Sequence, residues 1–279
     1  VALKVHPVGG QVAGGGRVRG GFTLIELLVV VAILVLLLSI LLPGLGRARD
    51  QARGAVCGSN VRQLVLANIT YAGENGGRYC PGAAGLSTLN ENLRRWHGSR
   101  AAVDEPFDPQ RGPLAAYLGT DGGVRACPAR PAFVSGPAAF EAGCGGYGYN
   151  QSFLGQVLRR KPTGCYAIVT DLFGASAETV RRPAETVMFT DAAFAAVAGG
   201  VIEYSFCEPR FHVAYCWARM DPSIHFRHCG RASVAWCDGH VSAERRTATH
   251  RSGLYPGDPA EVDIGWFGGA DDNGPFDLD

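Results

Sequence analysis

From Phe22 to Leu42 the chain is apolar at every position except Thr23, Glu26 and Ser39. At about 1.5 Å rise per residue such a run extends roughly 32 Å as a helix, close to the ~30 Å hydrocarbon core of a bilayer. The pattern predicts a membrane-spanning helix. A secretory signal peptide has a shorter apolar region and a small-residue cleavage site, whereas here Pro43-Gly44-Leu45 follows. A buried core helix is seldom apolar on every face. A plain anchor leaves Glu26 unexplained, because a carboxylate within a bilayer costs about 2.5–3.5 kcal/mol.

Beyond Pro43 the periodicity predicts that the helix resumes. Apolar or small residues stand at 45, 48, 52 and 56, then at 64, 67 and 71, with Arg47, Arg49, Asp50 and Arg53 on other faces. Asn75-Gly76-Gly77 is a stop signal. The expectation is one helix over about 22–73, bent near Pro43-Gly44, its outer half packed on a sheet. Residues 78–145 are rich in Gly, Pro and Ala, and Trp96-His97 and Asp104-Glu105-Pro106 read as surface loop. A strand is expected over Thr186–Thr190, ending at Asp191. Near the C-terminus, "SIHFRHCGRASVAWCDGHVSAE" predicts antiparallel strands 232–237 and 240–244 around Asp238-Gly239, both at φ > 0.

Charge adds orientation but no partner. The chain has 26 basic and 25 acidic residues, a net +1, which gives nucleic-acid binding no support. Lys4, Arg17 and Arg19 precede the apolar run with no acid among residues 1–21, so the positive-inside rule puts the N-terminus in the cytoplasm and the remainder outside. All nine Cys follow the run. In an exported domain they are expected mostly to pair as disulfides, with at least one thiol over or one intermolecular bridge.

Gly21-Phe22-Thr23-Leu24-Ile25-Glu26 resembles the processing site of the type IV prepilin family, which includes pilins and type II secretion pseudopilins. The resemblance implies a leader over 1–21, removed after Gly21 by a membrane peptidase that also methylates the new N-terminus on Phe22. Glu26 becomes the fifth mature residue, and Pro43 falls at the usual kink. Cleavage creates an ammonium on Phe22, and a buried carboxylate is tolerable when paired. Glu26 then serves as a registration device, meeting the Phe22 amine of a neighbouring subunit or its own. Cys57-x-x-Asn60-x-x-Gln63 resembles a segment of one pseudopilin-like subfamily, although Asn60 and Gln63 individually read as ordinary exposed helix residues. Cys127-Pro128 and Tyr147 to Asn150 resemble further landmarks of that subfamily. His228, nine intervening residues and Asp238-Gly239 resemble its closing His-x9-Asp-Gly signature.

Candidate chemistry is sparse. His228, Cys229, Cys237, Asp238 and His240 are all metal-ligand types, but their spacing matches no closed zinc pattern. A turn, a His–Asp hydrogen bond and a Cys229–Cys237 disulfide are the structural alternative. The tail "GADDNGPFDLD" lacks the spacing of an EF-hand loop. Some pseudopilins bind calcium near the C-terminus, which keeps Asp271, Asp272 and Asn273 as candidates. Calcium and zinc stay open, and nothing selects a Cys–His nucleophile or any other catalytic set.

The expectation is an α+β, pilin-like protein: a leader over 1–21, a membrane helix over 22–42, an amphipathic outer half over 43–77, and a β-rich extracytoplasmic domain over 78–279. The expected role is structural, as a pseudopilin or pilin-like subunit of the bacterial inner membrane. Its expected partners are a prepilin peptidase/N-methyltransferase, copies of itself, other pseudopilins, an assembly platform and membrane lipid. The rival class is a membrane-tethered binding protein delivered by a pilin-type helix.

Overall fold

The computed structural model describes residues 22–119, 124–134, 141–251, 253 and 256–279. Helix α1 runs over Leu24–Glu74, through positions 43 and 44 without a break. The chain divides into two compact units, residues 1–47 and 48–279.

In the first unit α1 opens on a capping box, which satisfies orphan donors at a helix start. The Thr23 amide and hydroxyl each donate to Glu26 Oε2 at 2.9 Å, and the Glu26 amide donates back to Thr23 Oγ1 at 3.3 Å. Ser39 donates to the Leu36 carbonyl at 2.7 Å. The apolar side chains from Phe22 to Leu42 are exposed, and the helix is long and apolar enough to cross a membrane.

The second unit is built on the C-terminal half of α1. Cys57, Asn60, Val61, Leu64, Val65, Asn68 and Ala72 are buried, a helical spacing that brings one stripe to a core. Val56 is 50 % exposed, and positions 48 and 52 are exposed as well. The expected stripe thus holds at Leu64 and Ala67, both buried, with Tyr71 half-buried, but not at 48, 52 and 56, and the buried face contains two Asn. Asn68 belongs there because its Oδ1 accepts from the Cys80 amide at 2.8 Å. The helix stops where Gly76 and Gly77 adopt φ of +63° and +74°, and the Gly77 amide caps the Ala72 carbonyl at 2.9 Å.

The main sheet has four antiparallel strands: β1 (Tyr147–Tyr149), β2 (Val187–Asp191), β3 (Arg231–Trp236) and β4 (Val241–Arg245). Their spatial order is β4-β3-β2-β1. Register sets Tyr147 opposite Asp191, Phe189 opposite Ala235, and Val234 opposite Ser242. Tyr147, Tyr149, Met188, Phe189 and Ala235 share a core with the α1 stripe. Val187, Ala232, Val234 and Trp236 pack on the other side with Phe226, Trp266 and Phe276. Both inner strands are thus covered on two faces, which is why they read as nearly continuous apolar runs. Among the described residues four smaller two-stranded sheets accompany this one, including Val157–Arg160 with Tyr166–Thr170 and Ile224–His225 with Ile264–Gly265. The architecture is α+β, with a long N-terminal helix packed on antiparallel sheets.

The two-residue turn geometry expected at Asp238-Gly239 is found instead at Cys229-Gly230. Cys229 and Gly230, at φ of +53° and +76°, are the central pair of a turn closed by reciprocal bonds between His228 and Arg231, as in a type I′ turn. Around Asp238-Gly239 only Gly239 has positive φ, at +91°. There Trp236 pairs with His240 across a three-residue loop, the pattern of a turn ending in a glycine bulge.

Trp96-His97 is buried, not surface loop. Trp96 Nε1 donates to the Ser205 carbonyl at 2.6 Å, and the His97 ring packs edge-on against Trp96 and Phe107. Burial, reinforced by the Arg95 and Arg100 cations, pushes the His97 pKa down to about 3. Asp104, Glu105 and Pro106 are exposed, as expected. As pH falls below about 6.5 an unfolded chain protonates this histidine while the folded one does not, so stability present above that pH is lost at roughly 1.4 kcal/mol per pH unit. Urea unfolding of the full chain should show His97→Phe gaining stability over wild type as pH drops from 7 to 5. Parallel pH profiles for the two proteins are the contrary result.

Candidate functional site

Two regions carry the chemistry that the sequence singles out. In the first unit, Phe22 and Glu26 stand at the start of α1, while Gly21 lies outside the described residues. The capping box gives Glu26 a local partner in Thr23. Pro43 lies within the helix.

In the second unit, one buried corner gathers residues from distant parts of the chain. Cys57 comes from α1, Cys127 from the following loop, Asp191 from the end of β2 and His228 from the turn before β3. Cys57 and Cys127 are joined as a disulfide, with Cα atoms 5.1 Å apart. His228 Nε2 lies 3.6 Å from Cys127 Sγ and 3.2 Å from Asp191 Oδ2. One ligand-type atom from each of the four residues falls within 4.8 Å of all the others.

The surroundings hold this corner rigidly. Ser233, on β3, donates its amide to Asp191 Oδ2 at 2.7 Å. The buried Arg227 guanidinium reaches Asp191 Oδ1 at 3.9 Å and donates to the Ala192 carbonyl at 2.7 Å. A Cβ on Gly146, whose φ is +83°, would lie 2.5 Å from that guanidinium, so glycine is required there on two counts. Tyr147 Oη donates to Cys57 Sγ at 3.4 Å and accepts from Asn60 Nδ2 at 3.2 Å. Burial raises the Tyr147 pKa, with Asp191 the next cause, which keeps the phenol a donor.

Asn60 is therefore not an ordinary exposed helix residue: it is buried, and its amide also faces the Arg125 and Ala126 carbonyls at 3.4 and 3.5 Å. Gln63 is exposed, and its amide donates to Ser59 Oγ at 3.5 Å. The Tyr147–Asn150 stretch is β1 and its exit. Asn150 ties it down by donating to the Val187 and Phe276 carbonyls, each at 2.9 Å.

The His228-to-Gly239 interval spans one turn, one strand and one hairpin loop, so its two ends lie at opposite ends of β3. His228 faces Asp191. Asp238 pairs with His240, whose Nδ1 is 2.7 Å from Asp238 Oδ1. A Cys229–Cys237 disulfide does not form, because the same geometry separates these residues; Cys229 is exposed and Cys237 buried, both as free thiols. Four Cys are paired, as Cys57–Cys127 and Cys165–Cys216, and five are free, fewer bridges than an exported domain suggests. Burial raises the thiol pKa of Cys80, Cys144, Cys207 and Cys237.

The tail acids are engaged by their own chain. Asp271 accepts two bonds from Arg219, Asp272 Oδ1 accepts from the Gly274 amide at 2.9 Å, and Asn273 brackets the Phe211 backbone with two 2.8 Å bonds. Of His228, Asp238, His240, Asp271 and Asp272, His228 alone belongs to the four-residue corner.

Residues 16–42 match the family model of the prokaryotic N-terminal methylation motif. The match ends before the second unit and does not reach Cys57, Cys127 or the His228–Gly239 stretch. No curated protein and no solved structure matches the chain. The N-terminus thus carries a prepilin-type cleavage and methylation motif, which implies processing by an enzyme of the prepilin peptidase/methyltransferase type.

Asn60 and Gln63 separate the roles of the two polar residues on α1. Asn60→Ala strands the carbonyls at 125 and 126 and should cost about 1–3 kcal/mol. Gln63→Ala should stay within about 0.5 kcal/mol. Chemical denaturation of both variants measures the difference, and equal losses would contradict the placement of Asn60.

Proposed function

We propose that this chain is a structural pilin- or pseudopilin-like subunit, cut after Gly21, N-methylated on Phe22 and assembled into a secretion-type or pilus-type filament. The observation that carries the reading is the coincidence, in residues 16–42, of the methylation-motif match with a membrane-length apolar helix containing one acid, Glu26. On this reading the helix crosses the bacterial inner membrane once, with the leader cytoplasmic and residues 43–279 extracytoplasmic. The partners are the processing enzyme, further copies of the chain, related subunits and the assembly platform. The role is structural, not catalytic.

Glu26 has two tasks in this scheme. Before cleavage its carboxylate closes the capping box on Thr23. After cleavage a new ammonium on Phe22 lies four residues away in sequence, and the charge of Glu26 becomes a partner for that ammonium on the same or a neighbouring subunit. Pairing offsets the cost of an acid at membrane depth.

Sequencing of the mature protein from membranes should begin at N-methylated Phe22; any other start contradicts the reading. Glu26→Gln retains an oxygen that accepts from Thr23 but removes the charge, whereas Glu26→Ala removes both. Both variants should be processed and both should fail to co-assemble with wild-type subunits. Normal assembly of Glu26→Gln would assign the acid to helix capping instead.

A further inference from the structure

We propose that Cys57, Cys127, Asp191 and His228 form a thiol-gated site for one zinc-class divalent cation, closed when the two cysteines are bridged and opened when they are reduced. The inference goes beyond the filament reading and does not depend on it.

A disulfide needs two residues, and this corner supplies four. His228 and Asp191 converge on the bridge from different elements although neither is needed to make it. The spacing suits a cation. In a tetrahedral site with bonds of about 2.0–2.3 Å, neighbouring donor atoms are about 3.3–3.8 Å apart. The His228 Nε2 to Cys127 Sγ and Asp191 Oδ2 separations, 3.6 and 3.2 Å, are close to that range. Separation of the two sulfurs from bonding distance is the main movement required.

The donor set selects the kind of ion. Two thiolates with an imidazole and a carboxylate favour zinc over calcium or magnesium, which take oxygen ligands. Charge also balances. Two thiolates, one carboxylate and a divalent cation leave a single negative charge, which the buried Arg227 beside Asp191 neutralises. Tyr147 already donates to Cys57 Sγ, a contact that strengthens towards a thiolate. Ser233 fixes Asp191 from behind, the kind of outer support on which metal ligands depend. Among the described residues Asp191 Oδ1 and His228 Nδ1 have no hydrogen-bond partner, so the corner carries polar capacity that the bridged state leaves unused there.

The gating step balances with a dithiol as reductant. The disulfide accepts two electrons and two protons, giving two thiols, and the dithiol becomes a disulfide. Cation binding then displaces the two thiol protons. Re-oxidation by a disulfide-donating protein expels the cation and restores the Cys57–Cys127 bond.

The test uses the full chain in detergent micelles, oxidised or reduced by a phosphine under anaerobic conditions, with zinc as the probe. Alkylation at each cysteine is mapped by mass spectrometry. Zinc should slow alkylation of Cys57 and Cys127 at least tenfold in the reduced chain and leave Cys165 and Cys216 unaffected. One zinc per reduced chain, and none per oxidised chain, should survive gel filtration. His228→Gln and Asp191→Asn should each weaken retention at least tenfold with both cysteines present. Slow alkylation of buried Cys80 reports that a variant is folded. Zinc that fails to protect Cys57 and Cys127 in wild type, whether the reduced chain stays folded or not, overturns the proposal. So does equal zinc retention by oxidised and reduced chains.

Discussion

The second unit depends on one contact, the buried stripe of α1 from Cys57 to Ala72 lying on the sheet. A single helix of this length gains little from propensity alone, and most helical stability in proteins comes from packing an apolar face. Val61, Leu64 and Val65 supply that face against Tyr147, Tyr149, Met188 and Phe189. Asn60 and Asn68 then tie it to two loops, one carrying Arg125 and Ala126, the other Cys80. The Cys57–Cys127 bond adds a covalent link across 70 residues of sequence. Closing a loop of that size removes much freedom from the unfolded chain, typically worth 2–4 kcal/mol for a disulfide.

The division of labour between the two units follows from their residues. The first has no buried apolar side chain among those described from Phe22 to Leu42, so its face suits lipid or neighbouring helices instead of an internal core. The second contains the described Cys, all the described buried polar residues and the sheet. One continuous helix contributes to both. Position 26 concentrates two opposed demands. Its acid closes a helix start, yet it places a charge within a run long and apolar enough to cross a membrane.

Legibility in the sequence tracked the range of the interactions. The membrane-length run, the glycine stop after Glu74, the strand ending at Asp191 and the hairpin around Asp238-Gly239 were readable because each is set by neighbours in sequence. The local turn geometries were less so: the I′-like pair is Cys229-Gly230, and the glycine bulge is at Gly239. The buried corner was not readable as a unit. Cys57, Cys127, Asp191 and His228 meet only through strand order and helix packing, and periodicity carries no information on either. Asn60 was hidden for the same reason, since an Asn on a buried face looks like an exposed one until its carbonyl partners at 125 and 126 are placed. Trp96-His97 sits in a Gly- and Pro-rich stretch without period, where burial is decided entirely by distant residues such as Phe107 and Ser205.

The packing of α1 on the sheet can be tested by amide hydrogen exchange on the full chain. Amides from Val61 to Ala72 should exchange only through the same global opening that exposes β2 and β3, with closely matching free energies. Exchange of that helical segment orders of magnitude faster than Val187–Asp191 and Arg231–Trp236 would mean that the helix is not part of the folded core, and would contradict the account at its base.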